Sequence, residues 1–138
     1  MIKIAGFKTE SAGFIRYNEP MALHTTFKVG GPADVWVQPA GVEFPGYAAE
    51  LLRTAGEAGV PVFILGGGAN IAVSDAGIRG IVLDTGGWTG YEASGEGELI
   101  FRSGTSVNAA AEIAAELGLT GLEFLAGMPG TIGGAVWM

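Results

Sequence analysis

"PVFILGGGANIAVSDAGIRGIVLD", residues 61–84, runs from an apolar stretch into three consecutive glycines and back to an apolar stretch. Pro61 to Leu65 reads as a short strand, "IAVS" as a second, Asp75-Ala76-Gly77 as a turn, and Ile81 to Leu83 as a third. Upstream, "ADVWVQP" (Ala33 to Pro39) alternates in strand fashion, with Val35 and Val37 on one face and Trp36 on the other. Tyr47 to Ala58 has helical spacing, with Tyr47, Leu51 and Ala55 on one side and Leu52 beside them, and Gly59 stands in the helix-stop position. Strand, helix and strand in succession over residues 33–65 predict a βαβ unit with parallel strands and a right-handed crossover. The triple glycine then falls at the carboxyl end of the second strand, where sheets of this kind present loops to ligands.

Downstream, "ELIFRSG" (Glu98 to Gly104) predicts another strand. Thr105 is placed to cap a helix from Ser106 to Leu117, whose stripe is Val107, Ala110, Ala111, Ala114 and Leu117, with Gly118 ending it. Residues 1–24 carry little periodicity, and Pro20 marks a turn. No internal repeat, linker or domain boundary is evident.

The 138 residues suit one domain. Seven Lys and Arg against fourteen Asp and Glu give a net charge of −7, which argues against a phosphate-tracking surface and so against a nucleic-acid partner. An anionic ligand must be held by backbone N–H groups and a few selected cations. With no cysteine and one histidine, disulfides, thiol chemistry and the usual zinc clusters are excluded; no metal site is assigned, and redox work would need a bound cofactor. The start, "MIKIAGFKTESAGF", lacks the pattern of a secretory signal, and no run approaches a membrane span, so a soluble cytoplasmic protein is expected. Charged residues are only 15% of the chain and the mean hydropathy is +0.40, which suggests surface that expects to be covered. The apolar ending "TIGGAVWM" suggests an element that continues in a longer parent.

The glycines admit two readings. The P-loop ending is missing, and Ile71 stands where the third glycine of a dinucleotide fingerprint belongs. A backbone nest remains: Gly66, Gly67 and Gly68 free successive N–H groups to converge on an anion, with the Asn70 amide beside them. The alternative is a tight turn with no ligand. "AGMPGTIGGAVW" is a second such loop, able to lay N–H groups along a flat or charged ligand or to pack tightly on a neighbour. His24 and Glu123 are read as structural rather than catalytic, Arg79 as a solvated turn arginine rather than a phosphate contact, and Trp36, Trp88 and Trp137 as packing residues.

Three segments together, residues 24–39, 65–84 and 118–138, resemble the UDP-N-acetylenolpyruvoylglucosamine reductase family in wording, order and spacing. The resemblance implies an α+β FAD-binding domain of the vanillyl-alcohol-oxidase (PCMH) type, with two α/β subdomains, the second incomplete, and FAD extended between them. Residues 1–138 would be its N-terminal portion, without the substrate-binding domain. Gly66, Gly67, Gly68, Ala69 and Asn70 would hold the pyrophosphate. Gly127, Met128, Pro129, Gly130, Thr131, Ile132, Gly133 and Gly134 would run beside the cofactor toward its ring. The implied activity is NADPH-dependent reduction of an enolpyruvyl UDP-sugar for peptidoglycan precursor synthesis, without a membrane partner and with no catalytic residue in this fragment. A non-catalytic flavin- or nucleotide-binding module is the alternative. Ala69 and Met128 stand where the family more often has a serine and an aliphatic residue.

Overall fold

Two apolar runs, residues 33–37 and 81–83, pair to form the centre of the main sheet. In the computed structural model, which describes residues 14–95 and 97–138, β1 (Phe14–Pro20), β2 (Pro32–Gln38), β3 (Val62–Leu65) and β4 (Ile78–Asp84) form one sheet in the order β1-β2-β4-β3. β1 is antiparallel to β2, while β2 and β3 both run parallel to β4. The expected strand-helix-strand unit is therefore present, with β4 inserted between its two strands. The helix, α1 (Phe44–Glu57), begins three residues earlier than its periodicity indicated, with proline in its first turn, where a missing N–H costs nothing.

Period-two alternation in β2 and β4 gives the sheet an apolar core on each face. Val35, Val37, Ile81 and Leu83 pack with Tyr47, Leu51 and Ala55 of α1. Trp36 and Val82 point the other way, onto Met21, Ala33 and Leu65. Leu52 lies outside the α1 contact and is 41% exposed, so the buried face is narrower than expected.

A smaller unit follows. β5 (Tyr91–Ala93) and β6 (Leu99–Phe101) pair antiparallel, and α2 (Val107–Glu116) and α3 (Ile132–Trp137) complete it. The strand expected over Glu98 to Gly104 shortens to three residues because the chain turns to bring Gly104 N–H onto the Trp88 carbonyl. Ser106, not Thr105, caps α2: its side chain accepts from Ala109 N–H at 3.0 Å, while the Thr105 hydroxyl bonds Gly90. Val107, Ala110 and Ala114 are buried, but Leu117 at the frayed end is exposed.

Three further expectations change. Residues 71–74 form no strand; Ile71 and Val73 pack as loop residues beneath the second core. Residues 14–20 do form one, although Asn18 has φ of +52° and Glu19 is its one buried residue, so no apolar alternation announces it. Trp36 is buried and Trp88 stacks on Phe44 at 4.9 Å, but Trp137 is exposed rather than packed. The reading of the N-terminal start lies on residues 1–13, outside the described residues.

Candidate functional site

The three parallel strands end at one edge of the sheet, and there the two glycine loops meet. A Cβ on Gly66 would stand 2.7 Å from the Thr131 hydroxyl, and one on Gly67 would stand 3.1 Å from the Gly130 Cα. Gly68 has φ of +63°, and a Cβ there would collide with the His24 carbonyl oxygen. Of the three glycines, only Gly68 takes the left-handed conformation expected of a nest. The immediate reason for this run of glycines is thus the chain itself: the second loop and the backbone of His24 approach too closely for side chains.

The loop is tied from both sides. Thr26 N–H donates to the Gly68 carbonyl at 3.0 Å, and the Thr26 hydroxyl reaches the Ala69 carbonyl at 3.2 Å. The Thr85 hydroxyl holds the Leu65 carbonyl at 3.1 Å, fixing the strand end from which the loop leaves. Among the described residues, the N–H groups of Gly67, Gly68, Ala69 and Asn70 donate to no acceptor within the protein. Four successive donors are therefore uncommitted, those of Gly67 and Asn70 on exposed residues and that of Gly68 on a buried one, while the Asn70 amide nitrogen lies 3.2 Å from the Met138 sulfur.

The second loop is differently disposed. Its N–H groups are largely used internally: Gly127 to the Asn108 side chain at 2.6 Å, Met128 to the Leu125 carbonyl, Ile132 to the Thr105 carbonyl and Gly133 to the Ser103 carbonyl. The Thr131 side chain caps α3 by accepting from Gly134 N–H at 3.4 Å. Met128 and Pro129 are exposed and Gly130 is partly so. The loop is fixed by its own bonds and offers shape more than donors.

Beside the first loop opens a cleft of about 330 Å³, walled by His24, Thr25, Thr26, Gln38, Gly66 and Gly67 and floored by Asp84 and Gly86. The His24 Nε2 lies 2.9 Å from Glu19 Oε1, whose other partner is Arg16 at 2.7 Å, and the His24 ring stacks on Trp36 at 4.6 Å. A carboxylate partner for His24 is therefore present, and the residue is structurally anchored. Burial works to raise the Glu19 carboxyl, but hydrogen bonds from His24 and Arg16 outweigh it and hold the group below its ordinary value. Asp84 goes the opposite way: burial pushes it up, despite the Gly86 N–H bond at 2.7 Å and the nearby Gln38 and Trp36 side chains.

The sequence located both glycine loops but missed Gln38, Thr25, Thr26 and Asp84. A carboxylate closing the apolar run "IVLD" at a strand end was the available signal. Arg79 is not a solvated turn residue but lies in β4, paired with Asp34 at 2.6 Å, and Glu123 accepts from Gly121 N–H at 2.7 Å, so both serve local structure. Among the described residues, no group of three or more His, Cys, Asp or Glu side chains could hold a metal ion, and no helix is long and apolar enough to cross a membrane.

Comparison with known proteins agrees with this arrangement. UDP-N-acetylenolpyruvoylglucosamine reductase of Anaeromyxobacter sp. (strain Fw109-5) is 46% identical over 126 residues, covering 91% of this chain and 39% of that protein. The reductase of Bacillus subtilis (strain 168) is 40% identical over 136 residues, covering 98% and 44%. The crystal structure of the Thermus caldophilus reductase superposes with a TM-score of 0.67 at 32% identity, covering 89% of this chain and 42% of that one. The chain spans about two-fifths of the length of the curated relatives it matches. Residues 41–138 match the family described as "FAD binding domain". With its mixed sheet, flanking helices and paired glycine loops, the chain belongs to that FAD-binding family, in the α+β form shared with these reductases.

Proposed function

We propose that this chain is the pyrophosphate-holding part of a flavin-dependent UDP-N-acetylenolpyruvoylglucosamine reductase. The observation that carries the reading is the row of four uncommitted N–H groups at Gly67, Gly68, Ala69 and Asn70, displayed at the carboxyl ends of parallel strands. In a chain of net charge −7, such donors can hold a diphosphate without a cluster of cations. The loop is tied by the Thr26 and Thr85 bonds, which reduces the ordering that binding must impose.

The roles follow from the bonds. Gly66 keeps the first loop against Thr131, and Gly67 keeps it against Gly130. The edge of Gly127, Met128, Pro129 and Gly130 would support the flat end of the cofactor, while Ile132 and Gly133, bonded to the Thr105 and Ser103 carbonyls ahead of α2, and Thr131, which caps Gly134 N–H, anchor that edge. FAD, when bound, supplies a hydride acceptor and donor between NADPH and the enolpyruvyl UDP-sugar. The chain's own contribution is to bind, orient and keep water from one side of that group. In this reading residues 1–138 are the N-terminal portion of the FAD-binding domain, acting in the cytoplasm where nucleotide sugars and NADPH meet, and none of them is assigned the proton transfer.

The test is a fluorescence titration of FAD with the purified protein and with Gly67→Leu. Saturable quenching lost in the variant supports the reading. Equal quenching by both proteins, or none by the wild type, contradicts it.

A further inference from the structure

We infer that Asp84 accepts hydrogen bonds from the ribose hydroxyls on the adenylate half of the bound dinucleotide, an assignment that rests on the flavin-site reading above. Asp84 is the last residue of β4 and stands in register with Leu65, the last residue of β3. Its carboxylate is therefore beside the residue from which the glycine loop departs, on the floor of the cleft that Gly66 and Gly67 wall.

The polar groups sort the ligand. A phosphate lodged against a carboxylate is repelled, so the anionic part belongs with the N–H groups of Gly67 to Asn70, and the part over Asp84 must be a hydrogen-bond donor. Within a nucleotide, the donors next to the phosphate are sugar hydroxyls. The second glycine loop, taken to lead toward the flavin ring, touches the first loop at Gly66 and Gly67 yet does not line this cleft. The cleft therefore lies on the other side of the pyrophosphate, with the adenylate.

A second observation points to the same place. The Trp36 indole N–H is buried against the Asp84 carboxylate but too poorly placed to make a full hydrogen bond to it. A buried donor so weakly partnered is costly and leaves room for a better acceptor. A hydroxyl can give its proton to Asp84 while offering a lone pair to such a donor. The Gln38 amide and the His24 ring, stacked on Trp36, complete the polar wall. Asp84 also caps the short turn Thr85–Gly87 through its bond to Gly86 N–H. Asparagine retains that capping ability, so Asp84→Asn separates a ligand role from a purely structural one.

The experiment measures the dissociation constants of ADP, 2′,3′-dideoxy-ADP and FAD by calorimetry for the wild type, Asp84→Asn and Asp84→Ser. The wild type is expected to prefer ADP over the dideoxy analogue by about tenfold to a hundredfold, the range for hydrogen bonds to a charged group. Both variants should bring that ratio to within about threefold and weaken FAD by a similar factor. Equal binding of the two analogues by the wild type, or a ratio unchanged in the variants, overturns the assignment. If FAD still binds in those cases, the flavin reading stands without it. A wild type that binds neither FAD nor ADP overturns both. The comparison of analogues on the wild type needs no variant to fold.

Discussion

The carbonyl oxygen of His24 occupies the place where a side chain on Gly68 would begin. That contact, with the Thr26 to Gly68 bond beside it, holds the segment preceding β2 against the loop following β3. Gly68→Ala must therefore accept an unfavourable positive φ and displace the backbone of residues 24–26. A loss of about 2 kcal/mol or more is expected, lowering the melting temperature by roughly 6–10 °C. Gly59→Ala is the control: its φ is +66° but nothing lies within 4 Å of the added Cβ, so only about 1 kcal/mol should be lost. Thermal denaturation of the two variants distinguishes the close approach from the φ preference.

The clasp between the loops should be weaker without the Thr131 hydroxyl. Thr131→Val removes the α3 cap and replaces the hydroxyl that packs beside Gly66 with a methyl group, with an expected cost of about 1 kcal/mol and FAD binding weakened by about fivefold. Thr131→Ser should restore both, as read by calorimetric titration.

The face of α1 is tested by a neighbouring pair. Leu51 is 1% exposed within the first core, so Leu51→Ala should cost about 2–5 kcal/mol. Leu52→Ala, at a position 41% exposed, should cost less than about 1 kcal/mol. Urea denaturation curves of the two variants are the check.

That pair also illustrates what was legible in the sequence. Periodicity located β2, α1 and α2, which bury side chains at regular spacing, and assigned Val35, Val37 and Trp36 to their correct faces, while β3 and β4 were legible as short apolar runs. It missed β1 because an edge strand with a left-handed Asn18 and a buried Glu19 has no apolar alternation to read. It placed a strand at residues 71–74 because Ile71 and Val73 alternate, although they do so while packing from a loop. The glycine loops stood out by composition alone. Asp84, Gln38 and the Thr25-Thr26 pair did not, because only the sheet order brings the ends of β2, β3 and β4 together.

The pH dependence of stability should carry the signature of Glu19. Its carboxyl is held below its ordinary value of 4.5, since the bonds from His24 and Arg16 outweigh burial. The folded state therefore resists protonation there more than the unfolded chain does. The stabilisation is present above 4.5 and is lost as the pH falls through the lower, folded-state value. Glu19→Gln should be less stable than the wild type by about 1–3 kcal/mol near neutral pH, and the difference should shrink on the acid side of 4.5. Denaturant midpoints measured across that range give the comparison.

The most direct test of the central claim is the visible absorbance spectrum of the purified chain after addition of FAD and removal of the unbound excess by gel filtration. Retained flavin absorbance at close to one equivalent, abolished in Gly67→Leu while the fold persists by circular dichroism, is the expected result. A folded wild-type protein that emerges colourless would contradict the claim that these paired glycine loops form a flavin-holding site.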